Sequence, residues 1–560
     1  MNFSCIDINL RVISFFEKEK FTSFKMTNAI LNEKTGIVNF FEKKEDFVQL
    51  KEILNINQNI VAESRVEYGD FQTNKQLAET ICNYLHNKNI NPKILLESTC
   101  GKGNFILSAI KTFDSLQQVF GIEIQEKYLW ELKFALLEYF LQNPQANKPE
   151  IYLFNANIFE FDFKDIKKQI SGKELLVIGN PPWVTNSQLS ALNSNNLPAK
   201  SNFKQAKGID AITGKGNFDI GEFISLKMLD LFSKETGHFA FLIKNSVIKN
   251  IVFEQKKNKY PISNIEKYTI NAKKEFDAAV DASLFVCKFN STPEFIAKEF
   301  DFYTSKYKVT LGWINNKFAS DTEKYKKYQH LDGVCPFEWR QGIKHDCAKI
   351  MELERIDGGF RNALGEEFEL EEDLVYGILK SSDLKQNVVD ISRKYTIVTQ
   401  KRIGQETSQI LEKLPKTKAY LERHKNHFLQ RKSSIYNGKP LYSIFGVGDY
   451  SFKPYKVAIS GLYKQTKFTL VKPNGTVLLL DDTCYFIGFD TLEEAQKIQN
   501  LLNQPEIQEF IESFMFIDGK RAITKEILMR IGFANHFISR KNKQLSIFDN
   551  KIKDNDNQQK

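Results

Sequence analysis

The chain has 560 residues, 42% hydrophobic and 26% charged, the balance of an ordinary globular protein with room for about two to four domains. No run approaches the roughly 18 apolar residues of a membrane span, charges at Asp7 and Arg11 interrupt any signal-peptide core, and seven scattered cysteines form no CxxC pair. A membrane span, a secreted disulfide framework and a zinc ribbon are thereby excluded, and a cytoplasmic protein is expected.

Net charge is +9, and it is unevenly placed. Residues 391–470 hold 16 Lys and Arg against 4 Asp and Glu, an excess of 12, so the rest of the chain is net negative by 3. A polyanionic partner for that C-terminal stretch is the natural expectation. Cys335, His345 and Cys347 come nearest to a metal-ligand set but lack a fourth partner, so no metal is expected.

In chain order, residues 1–65 mix helical segments such as Ile8–Lys20 with polar turns and read as an extension. Leu77, Ile81, Tyr84 and Leu85 share one helix face over Gln76–His86, with Thr73 or Asn74 as N-cap. Lys93–Glu97 then reads as a strand. It is followed by Ser98-Thr99-Cys100-Gly101-Lys102-Gly103 and a helix to about Thr112. Strand, Gly-x-Gly turn and helix let a ligand approach the backbone closely. A second strand, Gln118–Glu123, ends in an acid 20 residues beyond Gly103, where a carboxylate can meet the ribose hydroxyls of a nucleoside cofactor. Ile106 stands where a pyrophosphate site needs a third glycine, so the cofactor need not carry a pyrophosphate.

Segments continue to alternate: a helix at Glu126–Leu141, a strand at Glu150–Phe154 ending in Asn155-Ala156-Asn157, and a helix near Phe163–Ile170. The strand 175–179 runs into Asn180-Pro181-Pro182-Trp183. Two prolines remove two donors and fix two φ angles, so the strand stops in a stiff loop presenting an amide, bare carbonyls and an aromatic face. Such acceptors suit an amine on a conjugated ring, whose lone pair becomes nucleophilic only as its N–H bonds are drawn toward oxygen. Residues 184–217 are polar and aperiodic, as expected of a flap. A helix at Asp219–Phe232 and strands at 237–243, 267–270 and 283–289 complete the pattern, with Phe276 between the last two. This predicts a doubly wound α/β sheet of seven strands with an antiparallel edge. Beyond the acidic block 366–373, read as solvated, residues 375–535 interleave short β-like runs with basic and aromatic residues. That mixture suits phosphate contacts with groove reading. Lys401, Arg402, Arg431, Lys432, Lys453, Lys456 and Lys464 are the candidate DNA contacts.

The order FQT (71–73), ESTCGKGNF (97–105), GIE (121–123), NAN (155–157) and NPPW (180–183), with a basic C-terminal region, resembles the gamma-class adenine-N6 DNA methyltransferases of bacterial type II restriction–modification systems. The resemblance covers residues 65–290 motif by motif and extends loosely through 337–353. It implies an S-adenosylmethionine-dependent methyltransferase sheet with a C-terminal mixed α/β target-recognition domain. The expected divisions are an extension at 1–65, a catalytic domain at 66–300, a connection at 301–375, a basic domain at 376–540 and a tail at 541–560. By the same resemblance Phe71, Thr73, Glu97, Gly101 and Gly103 would surround the methionine part of S-adenosyl-L-methionine. Glu123 would bind its ribose, and Asn157, where the family usually has an acid, would lie near its adenine. Asn180 and Pro181 would accept hydrogen bonds from the target amine, Pro182 would stiffen the loop, Trp183 would stack on an extruded adenine and Phe276 would pack opposite. Ser98 and Asn74 replace residues that are commonly proline. The partners implied are double-stranded DNA and a separately encoded restriction endonuclease, for a protein that is favoured as a monomer. Two other readings stay open: methylation of RNA or of a protein glutamine amide, which the same loop would serve, and an inactive DNA-binding subunit.

Overall fold

A computed structural model of the chain describes residues 8–54 apart from 20 and 22, then 72–184, 219–276, and 281–533 apart from 518 and 520. Phe71, all but the first residue of the flap expected at 184–217 and the tail expected at 541–560 lie outside the described residues. Two units divide between Asn316 and Lys317. No helix among the described residues is long and apolar enough to cross a membrane.

In the first unit, helices α1 (Leu10–Lys18), α2 (Phe24–Thr35), α3 (Lys44–Leu54) and α4 (Lys75–Asn87) precede the sheet. Asn9, Ser23 and Asn74 cap α1, α2 and α4 by accepting from a backbone N–H of the first turn. Strands β1 (Ile94–Glu97), β2 (Gln118–Glu123), β3 (Glu150–Asn155), β4 (Leu175–Gly179) and β5 (Gly237–Lys244) are parallel neighbours in the order 3-2-1-4-5. Helices α5 (Asn104–Thr112), α6 (Glu126–Gln142), α7 (Lys164–Ile170) and α8 (Ile220–Phe232) alternate with them. Every residue of β1 and β4 is buried, which is why both read as continuous apolar runs rather than alternating ones.

The sheet departs from the seven strands expected. β6 (Ser263–Thr269) and β7 (Ala282–Lys288) follow α9 (Asn245–Asn258), and α10 (Ala272–Phe276) lies between them. β7 inserts between β5 and β6, antiparallel to both, so the antiparallel strand is internal and not an edge. β8 (Ile296–Asp301) then pairs with β6 in parallel, and β9 (Tyr307–Ile314) with β8 in antiparallel fashion. Residues 301–314, expected in a connection, therefore belong to the sheet. At the opposite side, Val38 N donates to Ile151 O and Ile151 N to Gly36 O, both at 2.8 Å. The extension thus lies along β3, and its Phe40 and Phe41 pack edgewise on Trp130 and Phe134 of α6.

The second unit begins before the expected boundary at 376, which falls inside the strand Val375–Leu379. That strand pairs with Lys394–Ile397, which also pairs with Glu352–Ile356. A second sheet joins Arg340–Gln341, Cys484–Phe489, Tyr455–Ser460, Thr469–Val471 and Val388–Val389. The acidic block is built into the fold. Glu371 accepts from Lys416 N, Thr417 N and Thr417 Oγ1 at the start of the helix Pro415–Arg423, and although desolvation opposes it, those bonds hold its carboxyl at about 2. Glu372 takes both guanidinium nitrogens of Arg355.

Lys456, expected on the DNA surface, is fully buried in the strand Tyr455–Ser460, where its Nζ donates to Lys453 O at 2.6 Å. Desolvation brings its amine down to about 7. Between pH 7 and the ordinary lysine value the unfolded chain binds the extra proton, so stability attributable to this group rises with pH across that window. Lys456→Met is expected to remove this rise and to be more stable than wild type below pH 7, by up to a few kcal/mol. Chemical denaturation of both proteins at pH 6 and pH 9 reads the difference.

Candidate active site

Strand order reverses at β1, whose neighbours β2 and β4 carry their following helices to opposite faces. A crevice opens at the carboxyl ends of such strands. Glu97 ends β1 in register with Gly121 of β2 and Ile178 of β4, and Glu123 ends β2 beside Asn155 of β3. The cleft above them encloses about 960 Å³ of space open to solvent. Thr73, Glu97, Gly101, Glu123, Asn157, Asn180, Pro181 and Pro182 all line it, so motifs spread over 110 residues meet in one cavity.

The glycine turn shapes one wall. Gly101 has φ +50°, a left-handed conformation that favours glycine, and a Cβ there would fall 2.5 Å from Gln72 Oε1 and push that side chain aside. Gly101 N donates to Glu123 Oε2 and Gln125 N to Glu123 Oε1, each at 2.8 Å. Gly103, at φ +70°, does not line the cleft. It caps α5 and leaves space filled by Leu132, whose Cδ1 would be 2.2 Å from a Cβ. Asn104 Nδ2 donates to Thr73 O at 2.7 Å, which fastens the 72–73 segment to the turn.

Four buried oxygens, on Thr73, Glu97, Ser98 and Thr99, have no hydrogen-bond partner among the described residues, and all four residues face the cleft. Glu97 is 3% exposed, and desolvation, then the nearby charge of Glu123, raises its carboxyl well above the ordinary value. Beside the cleft, Asn155 Nδ2 donates to Glu123 O and Ile124 O, while Asn157, which lines it, accepts from Phe159 N through Oδ1 at 3.0 Å. Lys227 Nζ donates to the carbonyls of Ile158 and Phe159, and its amine is lowered by desolvation.

The proline loop is held from two elements. Ile220 N donates to Val184 O at 2.9 Å, and a Cβ on Gly221 would lie 3.4 Å from Pro182 O, so the start of α8 sits against the loop. Asp219 caps α8 by accepting from Gly221 N, and Lys244 at the end of β5 ion-pairs with it at 2.6 Å. Trp183 is 5% exposed and does not line the cleft. Its Nε1 donates to Leu242 O of β5, and its ring meets Phe276 edge to face, with centroids 4.9 Å apart. The two aromatics expected to flank a base are thus packed on each other, with Ala272 and Ala282 around them.

In the second unit, Lys401, Arg402, Lys432 and Lys464 are exposed, and Lys453 pairs with Asp490. Arg431 serves the fold. Its guanidinium donates to the carbonyls of Phe428, His345, Ser443 and Leu441 and stacks 3.6 Å over Tyr436, which leaves no free donor pair for a phosphate. His345 likewise accepts from Cys347 N inside the core.

Asn104, Gln72, Lys227, Asp219 and Lys244 escaped the sequence reading. Asn104 and Gln72 lie inside recognised motifs and Asp219 at the start of an expected helix, whereas nothing local marks Lys227 or Lys244.

No family model matches the chain. It is 41% identical over 472 residues to the type II methyltransferase M.NspV of Nostoc sp. (strain ATCC 29411 / PCC 7524), covering 84% of this chain and 96% of that one. Over 186 residues it is 25% identical to the type II methyltransferase M.VspI of Vibrio sp. (strain 343), covering 33% and 39%. Its fold is similar to that of the type IIL restriction–modification enzyme MmeI, solved in complex with DNA, with a TM-score of 0.54 at 11% identity, over 95% of this chain and 83% of that chain.

The raised carboxyl of Glu97 has a stability consequence in the free protein. Its charged form is disfavoured on folding, so its contribution is intact below the unfolded value near 4.5 and is lost as pH rises through the folded value. Glu97→Gln is therefore expected to raise the ligand-free Tm by a few degrees at pH 8 and by much less at pH 4.5, read by scanning calorimetry.

Proposed function

The chain belongs to the type II methyltransferases, and on that premise we propose that it transfers a methyl group from S-adenosyl-L-methionine to N6 of an adenine turned out of double-stranded DNA. The single observation that carries the reading is the shared cleft: Asn180 and Pro181 stand in the same cavity as Glu97, Gly101 and Glu123. The donor set fits the cofactor. Glu97, with an unpartnered buried oxygen, suits an ammonium group, and the orphaned hydroxyls of Thr73, Ser98 and Thr99 suit a carboxylate or ammonium beside it. Glu123, at the end of β2, is the acid that would meet the ribose hydroxyls, and Ile124, Ile158 and Ile224 offer an apolar slot for a base. When bound, the cofactor supplies an electrophilic methyl carbon on a positively charged sulfur.

The protein's part is positioning. Inside a stacked duplex N6 cannot reach that carbon, so the base must leave the helix at a cost of a few kcal/mol. Asn180 Oδ1 and Pro181 O accept the two N6–H bonds, which draws the lone pair out of the ring and aims it along the line of transfer. As the N6–methyl bond forms, the methyl–sulfur bond would break with its electron pair left on a neutral thioether, and the N6 proton would pass to solvent by way of the Asn180 Oδ1 hydrogen bond, so no strong base is required. Trp183 offers the stacking face. At 4.9 Å between centroids no base fits between Trp183 and Phe276, so capture of the base turns the Phe276 side chain off Trp183 while α10 stays in place. The exposed Lys401, Arg402, Lys432 and Lys464, with Lys453 at its ion pair, are the candidate phosphate contacts. A separately encoded endonuclease would complete the system, and the protein would act in the cytoplasm as a monomer.

Incubation with S-adenosylmethionine labelled at the methyl group and unmodified DNA, followed by mapping of modified bases, is expected to place the label on adenine at one recurring sequence. Label in RNA or protein alone would overturn the reading. Asn180→Ala should lower the transfer rate by at least about a hundredfold while cofactor affinity stays within a few-fold; full activity of that variant would remove the assigned role.

A further inference from the structure

The segment that crosses the glycine turn and the helix that bears Phe276 share one carboxylate. Asn74 follows Thr73 directly. Its Oδ1 caps α4 by accepting from Leu77 N at 2.7 Å, and its Nδ2 donates to Glu275 Oε2 at 3.1 Å and to Glu275 O at 3.4 Å. The other oxygen, Glu275 Oε1, accepts from Tyr303 OH at 2.9 Å, and Tyr303 OH in turn accepts from Asn271 N ahead of α10. Glu275 is the residue before Phe276, whose ring lies against Trp183. On the other side of Asn74, Thr73 is fastened to the glycine turn through Asn104, and Gln72 Oε1 accepts from Lys102 N. A continuous path of contacts therefore runs from the cofactor wall of the cleft, through Asn74 and Glu275, to the aromatic pair behind the proline loop. A proline at position 74 could make neither the cap nor the bridge.

We propose that Glu275 is a positioning residue that latches the base-side helix α10 to the cofactor-side segment 72–74, so that the cofactor and the target base bind with positive coupling. The inference rests on the proposed function, because it takes the ligands of the two walls to be S-adenosylmethionine and a flipped adenine. The physical reason is economy of ordering. α10 has only five residues, too short to be stable by itself, and Phe276 must leave Trp183 for a base to stack there. A cofactor that orders 72–74 fixes Asn74, and through the shared carboxylate holds α10 in place. The base then meets a pocket whose ordering is already done. By reciprocity the base tightens the cofactor by the same factor.

The test measures affinity for S-adenosylhomocysteine, which cannot turn over, by titration calorimetry with and without a duplex carrying the mapped site. In wild type the duplex is expected to tighten this ligand roughly fivefold or more. Asn74→Asp keeps the cap acceptor for α4 but sets a carboxylate against Glu275, and Glu275→Met removes both acceptors. Each is expected to bring the ratio down to about one while the affinity for S-adenosylhomocysteine alone stays within roughly threefold. The double variant N74D/E275Q reverses the direction of the hydrogen bond, amide to carboxylate, and is expected to restore the ratio. A purely structural role would change folding or single-ligand affinity without this recovery. The proposal is overturned if wild type methylates DNA yet shows no coupling, if the single variants keep the wild-type ratio, or if the swapped pair behaves like Asn74→Asp. A wild-type protein that methylates no DNA overturns the functional reading itself and this coupling with it.

Discussion

Two acids at the ends of adjacent parallel strands set the conditions for everything around them. Glu97 and Glu123 are both buried, and they stand on neighbouring strands at the carboxyl edge of one sheet. Charges in such a place persist only where donors are aimed at them. Glu123 receives two backbone N–H groups, which fixes the glycine turn at 101 and the start of α6. Glu97 receives no such pair, and one of its oxygens faces the cleft without a partner among the described residues. The fold thus meets the needs of one acid and leaves the other short. The cost is borne as a raised carboxyl in the free protein.

The opposite wall is built by a different principle. The proline loop has few backbone donors, so it cannot anchor itself by ladder bonds and depends on its neighbours. β5 supplies two anchors, the Leu242 carbonyl for Trp183 and the Lys244 ammonium for Asp219, and α8 supplies a third through Ile220 N and Val184 O. The Lys244–Asp219 pair is only 14% and 13% exposed, and the N-terminal turn of α8 further stabilises the carboxylate. The loop is therefore stiff in itself and pinned at both flanks, as acceptors must be if they are to orient one amine.

Much of this was legible in the sequence, for identifiable reasons. β1, β2 and β4 are short runs buried on both faces, and each stops at a residue that cannot continue a strand or that carries a charge. Their positions and the cleft they form follow from that punctuation. The alternation failed where periodicity is ambiguous. α9 is rich in Val and Ile, so its buried set Val247, Ile248, Ile251 and Val252 gave no helical signal that outweighed β-branching. The placement of β7 between β5 and β6 is a matter of pairing, which local pattern does not encode. Lys456 and Arg431 were read as surface cations because a charge count ignores direction. One points into a sheet and the other into a ring of carbonyls. The packing of Trp183 on Phe276 likewise required coordinates, since the motif names an aromatic without saying what covers it.

The extension that lies along β3 has a consequence for how the molecule comes into being. The contact between residues 36–38 and Ile151 closes the outermost rim of the sheet, and it joins segments more than a hundred positions apart in the chain. During synthesis the covering segment emerges long before the strand it shields, so its Phe40 and Phe41 wait without a partner until α6 is made. Once docked, it takes up the N–H and C=O of Ile151, one pair of the groups along which a second molecule could otherwise add a strand. The same few residues are thus a hazard on the nascent chain and a guard against self-association on the finished one.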